Sequence, residues 1–293
     1  MRRLIIALSV AVAVGPVVAA QERPLPEAEP FLREVRKHLE RDQQRQSGYM
    51  YVETRHELKL DKSGKSTKET VKVFESYPGL PGEDDRWERL ISEDGKPVPA
   101  DELAKRDRER EKKAQEYVRR ITKEPEKVEN EHQRDLEKQR RESTEVVDEI
   151  FRVYDIRMLR REPIEGHDTI ALTLTPRPDA KPRTRDGRIM QKFNVKAWIS
   201  EDDYELARVD IEAMDTVSLG FGLLARVHKG TRASFQRRKV NDEIWLPANA
   251  SYTASVRVAL FKVFRVGGTS EFSNYKKFTV GTSTTYTSPK EQH

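Results

Sequence analysis

From Glu149 to Val280 apolar and polar side chains alternate in segment after segment, and this period of two constrains the fold more than any other feature of the chain. TIALTLTP places Ile170, Leu172 and Leu174 on one side, QKFNVKAWI places Phe193, Val195, Ala197 and Ile199, and ELARVDIEA places Ala207, Val209, Ile211 and Ala213. SYTASVRVAL does the same with Tyr252, Ala254, Val256, Val258 and Leu260. Successive strand side chains point to opposite faces, so each segment has one dry and one wet side, the mark of an antiparallel sheet. RTRDGR, SEDDYE, VNDEIW and RVGGTS are expected to be the turns between them.

Upstream, Phe31, Leu32, Val35 and Leu39 recur at helical spacing, so residues 27–47 are expected to form one amphipathic helix stopped by Gly48. YMYVETRHELKL and TKETVKVFESY flank the polar DKSGKS and predict a hairpin, and RWERLISEDGKPV adds a short strand with a DG turn. The count comes to nine or ten strands.

From Asp101 to Glu145 fourteen Lys/Arg face fourteen Asp/Glu. Mixed signs at short spacing suit solvated helices held by i,i+4 pairs, and Pro125 should break the run into two. The expected organisation is a signal peptide over 1–20, with charged start, apolar middle and small residues at Val18 and Ala20, followed by one domain over 21–293 with a helical insertion at 101–148. No later segment reaches the roughly 18 apolar residues of a spanning helix, so the mature chain is expected to be a soluble periplasmic one.

With no cysteine there can be no disulfide, thiolate metal site or cysteine nucleophile. The formal charge of +5 falls to about +3 without Arg2 and Arg3, too small for a nucleic-acid protein. The six histidines (His38, His56, His132, His167, His228, His293) include no pair at metal-ligand spacing on one element. There is no GxSxG or GxxxxGK[ST], and nothing calls for a cofactor. The SEDD cluster at 200–203 is expected to be a hairpin tip rather than a catalytic or metal group. A non-catalytic protein is therefore expected.

The order of helix, YMYVETRHEL, DGK turn, charged insertion, IEGHDTIALTLTP, WIS with an acidic turn and ELARVDIEA, then VNDEIWLP and FSNYKKF resembles exported bacterial proteins related to the outer-membrane lipoprotein-sorting proteins of the LolA/LolB-like fold. The resemblance implies an α+β fold: a mostly antiparallel curved sheet, an unclosed β-barrel, covering one or two helices, here with an inserted charged helical hairpin. It also implies a carrier or chaperone that holds the acyl chains of a lipid or acylated protein in an apolar half-barrel. Candidate lining residues are Tyr51, Phe74, Phe193, Val195, Val209, Ile211, Phe235, Val256, Val258 and Phe272. Arg177, Lys181, Arg183, Arg185 and Arg188 of the RPDAKPRTRDGR loop are candidate contacts for a membrane surface. The alternative is an envelope sensor or interaction module that binds a peptide or an inner- or outer-membrane protein partner through the same fold and the insertion.

Overall fold

The computed structural model describes residues 23–40, 48–80, 86–219, 225–258 and 262–277, so the expected signal peptide, the 41–47 part of the expected first helix, Leu260 and the strand end at Val280 lie outside the described residues. Helix α1 (Ala28–Leu39) is followed by strands β1 (Tyr49–Leu60), β2 (Ser66–Tyr77), β3 (Trp87–Glu93) and β4 (Lys96–Pro97). Helices α2 (Ala100–Lys123) and α3 (Pro125–Val153) come next, then β5 (Tyr154–Ile164), β6 (His167–Pro176) and the short helix α4 (Arg185–Met190). The chain continues through β7 (Phe193–Ser200), β8 (Leu206–Ala213), β9 (Val217–Leu219), β10 (Ala225–Val227), β11 (Arg232–Val240), β12 (Ile244–Val258) and β13 (Lys262–Lys277).

All 13 strands among the described residues belong to one antiparallel sheet, in the order β4-β3-β2-β1-β13-β12-β11-β8-β7-β6-β5, with β10 pairing β12 and β9 pairing β10. Among the described residues the main path ends at β4 and β5, β9 is the outer strand of a side branch, and the sheet is not closed into a barrel. The surplus over nine or ten comes from β4, β9 and β10, two or three residues each, too short to show a period.

Local chemistry explains the turns. Asp94-Gly95 and Glu165-Gly166 all have positive φ (48°, 74°, 50° and 82°), the left-handed pair that a two-residue hairpin demands. In DKSGKS the Asp61 carboxylate accepts from the backbone N–H of Ser63 and Lys65 at 2.8 and 3.0 Å, while Gly64 sits at φ 86°.

Two expected turns are something else. RVGGTS lies inside β13, where a Cβ on Gly268 would come within 2.7 Å of both the His56 carbonyl oxygen and the Tyr252 ring. The glycine serves close approach within the sheet rather than a reversal. RTRDGR enters α4, with Thr184 Oγ1 accepting from the Gly187 N–H at 2.9 Å as its N-cap. Gly187 is closely enclosed there: a Cβ would lie 1.7 Å from Glu149 Oε2 on α3 and 2.8 Å from the Pro182 Cβ, so a side chain would have to displace the Glu149 carboxylate.

The charged stretch forms α2 and α3, broken at Glu124 with Pro125 opening α3, where its missing N–H costs nothing. The pair leaves the sheet at edge β4 and returns at the opposite edge, β5. The main core lies at the β5 side: Phe31 and Val35 of α1 and Val153 of α3 pack on Ile170, Leu172, Leu174, Ala197 and Ile199. Val153 and Ile170 are 0% exposed.

Candidate functional site

Residues paired across an antiparallel ladder share a face, so the register shows which side chains line one surface. Starting from the core, Leu172 pairs with Ala197 and Ala197 with Val209. Val209 pairs with Phe235 and Phe235 with Ala250. Ala250 pairs with Ser270, which faces Arg55 two residues along from Glu53 and its partners Phe272 and Phe74. One surface therefore runs from β6 to β2 without interruption.

Every candidate lining residue falls on it by register: Phe193 and Val195 on β7, Val209 and Ile211 on β8, Phe235 on β11, Val256 and Val258 on β12, Phe272 on β13, Tyr51 on β1 and Phe74 on β2. The Val258 side chain is outside the described set. The structure adds Ala233, Tyr252, Phe264 and Val266 to this surface. Phe264 faces Val256 across a register that no single-strand pattern contains.

Cover differs along the surface. Under α1 and the end of α3 the side chains are buried. From β8 onward, Val209, Ile211, Phe235 and Val256 remain half-buried, and Tyr252 and Phe264 are 45% and 39% exposed. Among the described residues no helix side chain joins an apolar cluster there.

The β1–β2 side of the same surface departs from a purely apolar lining. Glu53 is only 5% exposed and accepts from Arg55 at 2.9 and 2.7 Å and from Ser270 Oγ at 2.6 Å. The Glu53 hydrogen bond holds the Arg55 guanidinium pKa above its ordinary value, and Arg55 lies 4.5 Å from the Phe74 ring while Arg86 lies 4.4 Å from the Tyr51 ring. Tyr51 is buried and meets Phe272 edge-on at 5.5 Å between ring centroids. The Tyr275 hydroxyl, pushed up to about 12 by burial, donates to the Phe272 carbonyl at 2.8 Å and so fixes that end of β13. Tyr51 is thus the buried member of this set, while Phe74 and Phe272, held by ring and cation contacts, are half-buried like Val209, Ile211, Phe235 and Val256. Glu53 and Arg55 are in phase with Tyr51, but nothing in a strand's own sequence distinguishes a charged side chain that pairs inward from one that faces water.

The reverse side of the central strands is polar. Asn194, Lys196, Arg208, Asp210, Arg232 and Ser234 border a shallow depression of about 440 Å³, in which Arg208 donates to Asp210 at 3.0 and 2.9 Å and Arg232 to Glu212 at 3.2 and 2.9 Å.

SEDD is the β7–β8 tip, and its carboxylates are structural anchors. Glu201 accepts from Arg161 at 2.6 and 2.8 Å and from Arg23 at 2.6 Å, tying the segment before α1 to the sheet. Asp203 accepts from the Trp245 indole at 3.1 Å and pairs with Lys239 at 2.7 Å. Burial would raise the Asp203 pKa, but hydrogen bonds from Lys239, Ser200 and Trp245 and the Lys239 charge outweigh it and hold the group below its ordinary value. The two sequence signatures, WIS with its acidic turn and EIWLP, thereby touch each other.

Arg177, Lys181, Arg183, Arg185 and Arg188 are all exposed. Their segment is fixed to α3, since the Arg183 N–H donates to both oxygens of the buried Glu149 at 3.0 and 3.1 Å. Among the described residues no three His, Asp or Glu side chains converge in a way that could hold a metal ion, and no helix is long and apolar enough to cross a membrane.

No family model matches the chain, and no curated protein does. Solved structures do. A domain described as an outer membrane lipoprotein-sorting protein domain from Vibrio parahaemolyticus matches at 11% identity and a TM-score of 0.31, over 87% of this chain and 94% of that one. A DUF1329 family protein from Desulfovibrio piger matches at 16% and 0.28, over 87% and 95%. A LolA superfamily protein from Nitrosomonas europaea matches at 9% and 0.25, over 85% and 94%. The chain is thus similar, over most of its length, to solved proteins of the LolA superfamily and of the lipoprotein-sorting group.

Proposed function

We propose that the protein is a non-catalytic periplasmic binding protein that holds the acyl chain of a lipid or acylated protein against the open part of the apolar surface. The observation that supports this most is the uneven cover: one in-register apolar face, buried under α1 and α3 at β5–β7 and left half-exposed across β8, β11, β12 and β13. Each CH₂ of an acyl chain moved from water to such a surface gains roughly 0.8 kcal/mol, so the face needs width and dryness but no reactive group. The exposed cations of the 177–188 segment run directly into Phe193, the first lining residue of β7, and suit the anionic head group of a bound amphiphile.

The test is native mass spectrometry of the protein over residues 21–293 after incubation with a palmitoyl lysophospholipid, compared with Val209→Glu. The expected result is a one-to-one adduct in the parent protein that the variant lacks while its circular dichroism is unchanged. An adduct of equal intensity in the folded variant would overturn the assignment of the face.

A further inference from the structure

In an antiparallel sheet the connections alternate between two ends, so the topology sorts the charged side chains into two groups. One end holds residues 59–69 of the β1–β2 hairpin, 93–96 between β3 and β4, 177–192 between β6 and β7, 212–217 and 225–232 around β9 and β10, and 257–265 between β12 and β13. These carry 17 Lys/Arg against 8 Asp/Glu, and residues 220–224 and 259–261, outside the described set, contribute none of either. With the helix segments nearest this end, 100–106 of α2 and 141–157 of α3 and β5, the balance is 22 against 14. The opposite end, residues 49–53, 75–77, 86–89, 160–168, 200–206, 237–245 and 271–277, carries 9 Lys/Arg against 13 Asp/Glu. Residues 23–40, with α1, hold four of each.

The positive charge is concentrated where it costs stability. Lys59 stands directly opposite Lys68 across the β1–β2 ladder, and Arg226 opposite Arg257 across β10 and β12. Like charges so placed destabilise a sheet. Among the described residues none of these four has an ion-pair partner, whereas Lys192 nearby pairs with Asp215 and Arg232 with Glu212. Two apolar side chains are exposed among the cations: Val263 (43%), which faces Arg257, and Phe264 (39%), next to Arg265. The charged insertion leaves this end clear. Asp107 of α2 meets Arg89 and Arg110 meets Trp87, so α2 descends β3 toward the opposite end as its numbering rises.

We infer that the cationic end of the sheet docks on an anionic lipid bilayer, its Lys and Arg side chains meeting the phosphates and Val263 and Phe264 entering the interface. Charge complementarity selects this occupant: the excess runs along the strand ends from β2 to the β6–β7 connection without a shaped pocket, which matches a continuous surface that is negative outside and apolar beneath. The neighbouring strands β2, β1, β13, β12 and β10 alone present a front of about 19 Å at the usual strand spacing. The open apolar face reaches the same end through Val256 and Phe264, so docking sets it against the bilayer. The inference stands whether or not that face holds an acyl chain.

The chain has no cysteine, so a single introduced thiol reports one place. Val263→Cys at the cationic end and Asp202→Cys at the other, each labelled with an environment-sensitive fluorophore, would be titrated with vesicles of 3:1 phosphatidylethanolamine and phosphatidylglycerol, with phosphatidylcholine vesicles and with soluble polyglutamate. A blue shift is expected at position 263 alone and only on the anionic vesicles. Adding Lys59→Glu and Arg226→Glu turns both like-charge pairs into opposite-charge pairs. Vesicle affinity should then fall more than tenfold while the urea midpoint holds or rises, an outcome that a merely structural role for these cations would not give. Raising salt from 0.1 to 0.5 M should weaken binding of the parent protein as well. No shift at position 263, an equal shift at position 202, or undiminished affinity in the folded charge-reversed variant would each overturn the docking. An equal shift on polyglutamate would overturn it in favour of an acidic polypeptide partner.

Discussion

The part of the sheet face under α1 and α3 and the part from β8 onward are built from the same residue types in the same alternation, yet they end in different environments. Ile170, Leu172 and Ile199 are at most 3% exposed, whereas Val209, Ile211 and Phe235, continuous with them through the ladder, keep partial contact with water. Alternation therefore marks a face and leaves its burial undecided. What separates core from open surface is the position of one twelve-residue helix and the last turns of another.

If that distinction is right, charge placed in the covered part should be ruinous. Ile170→Asp should cost more than about 4 kcal/mol, because it puts an unpartnered carboxylate in a fully buried site, and chemical denaturation would show loss of the folded baseline. A folded, fully stable variant would erase the contrast.

The attachment of the cover can be loosened next. Gly187→Ala drives a methyl group into Glu149 Oε2 and should detach the 177–188 segment from α3. A stability loss of about 2–3 kcal/mol and faster hydrogen exchange in α3 are expected.

Asp203 sharpens the comparison from the rim. Its pKa in the folded state is lowered, so its contribution is present above the ordinary carboxylate pKa and disappears as pH falls through the lower folded value. Asp203→Asn should therefore lose about 1–2 kcal/mol at pH 7 and approach the parent protein below about pH 4, as urea midpoints at the two pH values would reveal.

Val209→Glu belongs to the open part and should cost only about 1 kcal/mol, since the new carboxylate can reach water. A cost equal to that of Ile170→Asp would mean that the two parts are one core. The smallest effect is expected on the insertion: Arg106→Ala removes an exposed i,i+4 pair with Glu102 at 2.9 Å and should shift stability by less than about 0.5 kcal/mol.

Much of this architecture was legible because it depends on local chemistry. Pro125 ends one helix and starts the next, Asp-Gly makes a tight hairpin, and the alternation of β7, β8 and β12 assigns a face to each side chain independently of its neighbours. Legibility ended where a residue answers to a distant partner. Gly187 and Gly268 look like turn formers until Glu149 and Tyr252 are placed against them, and SEDD looks like a bare tip until Trp245, Lys239 and Arg161 arrive to use its carboxylates.

The candidate surface divides in the same way. Period two assigned Phe193, Val195, Val209, Ile211, Val256 and Val258 to one side of their own strands, and the register brings those sides onto one face. The division into covered and open parts, the ionic group at Glu53, the place of Phe264 and the exposure of Tyr252 do not show in that period. By itself the sequence determined most of the longer strands and their dry faces, the two charged helices and the exclusion of cysteine chemistry, all of which follow from spacing and residue type. Only the tertiary structure decided strand order, register and which stretch of the dry face a helix would cover, because these depend on contacts between residues far apart in the chain.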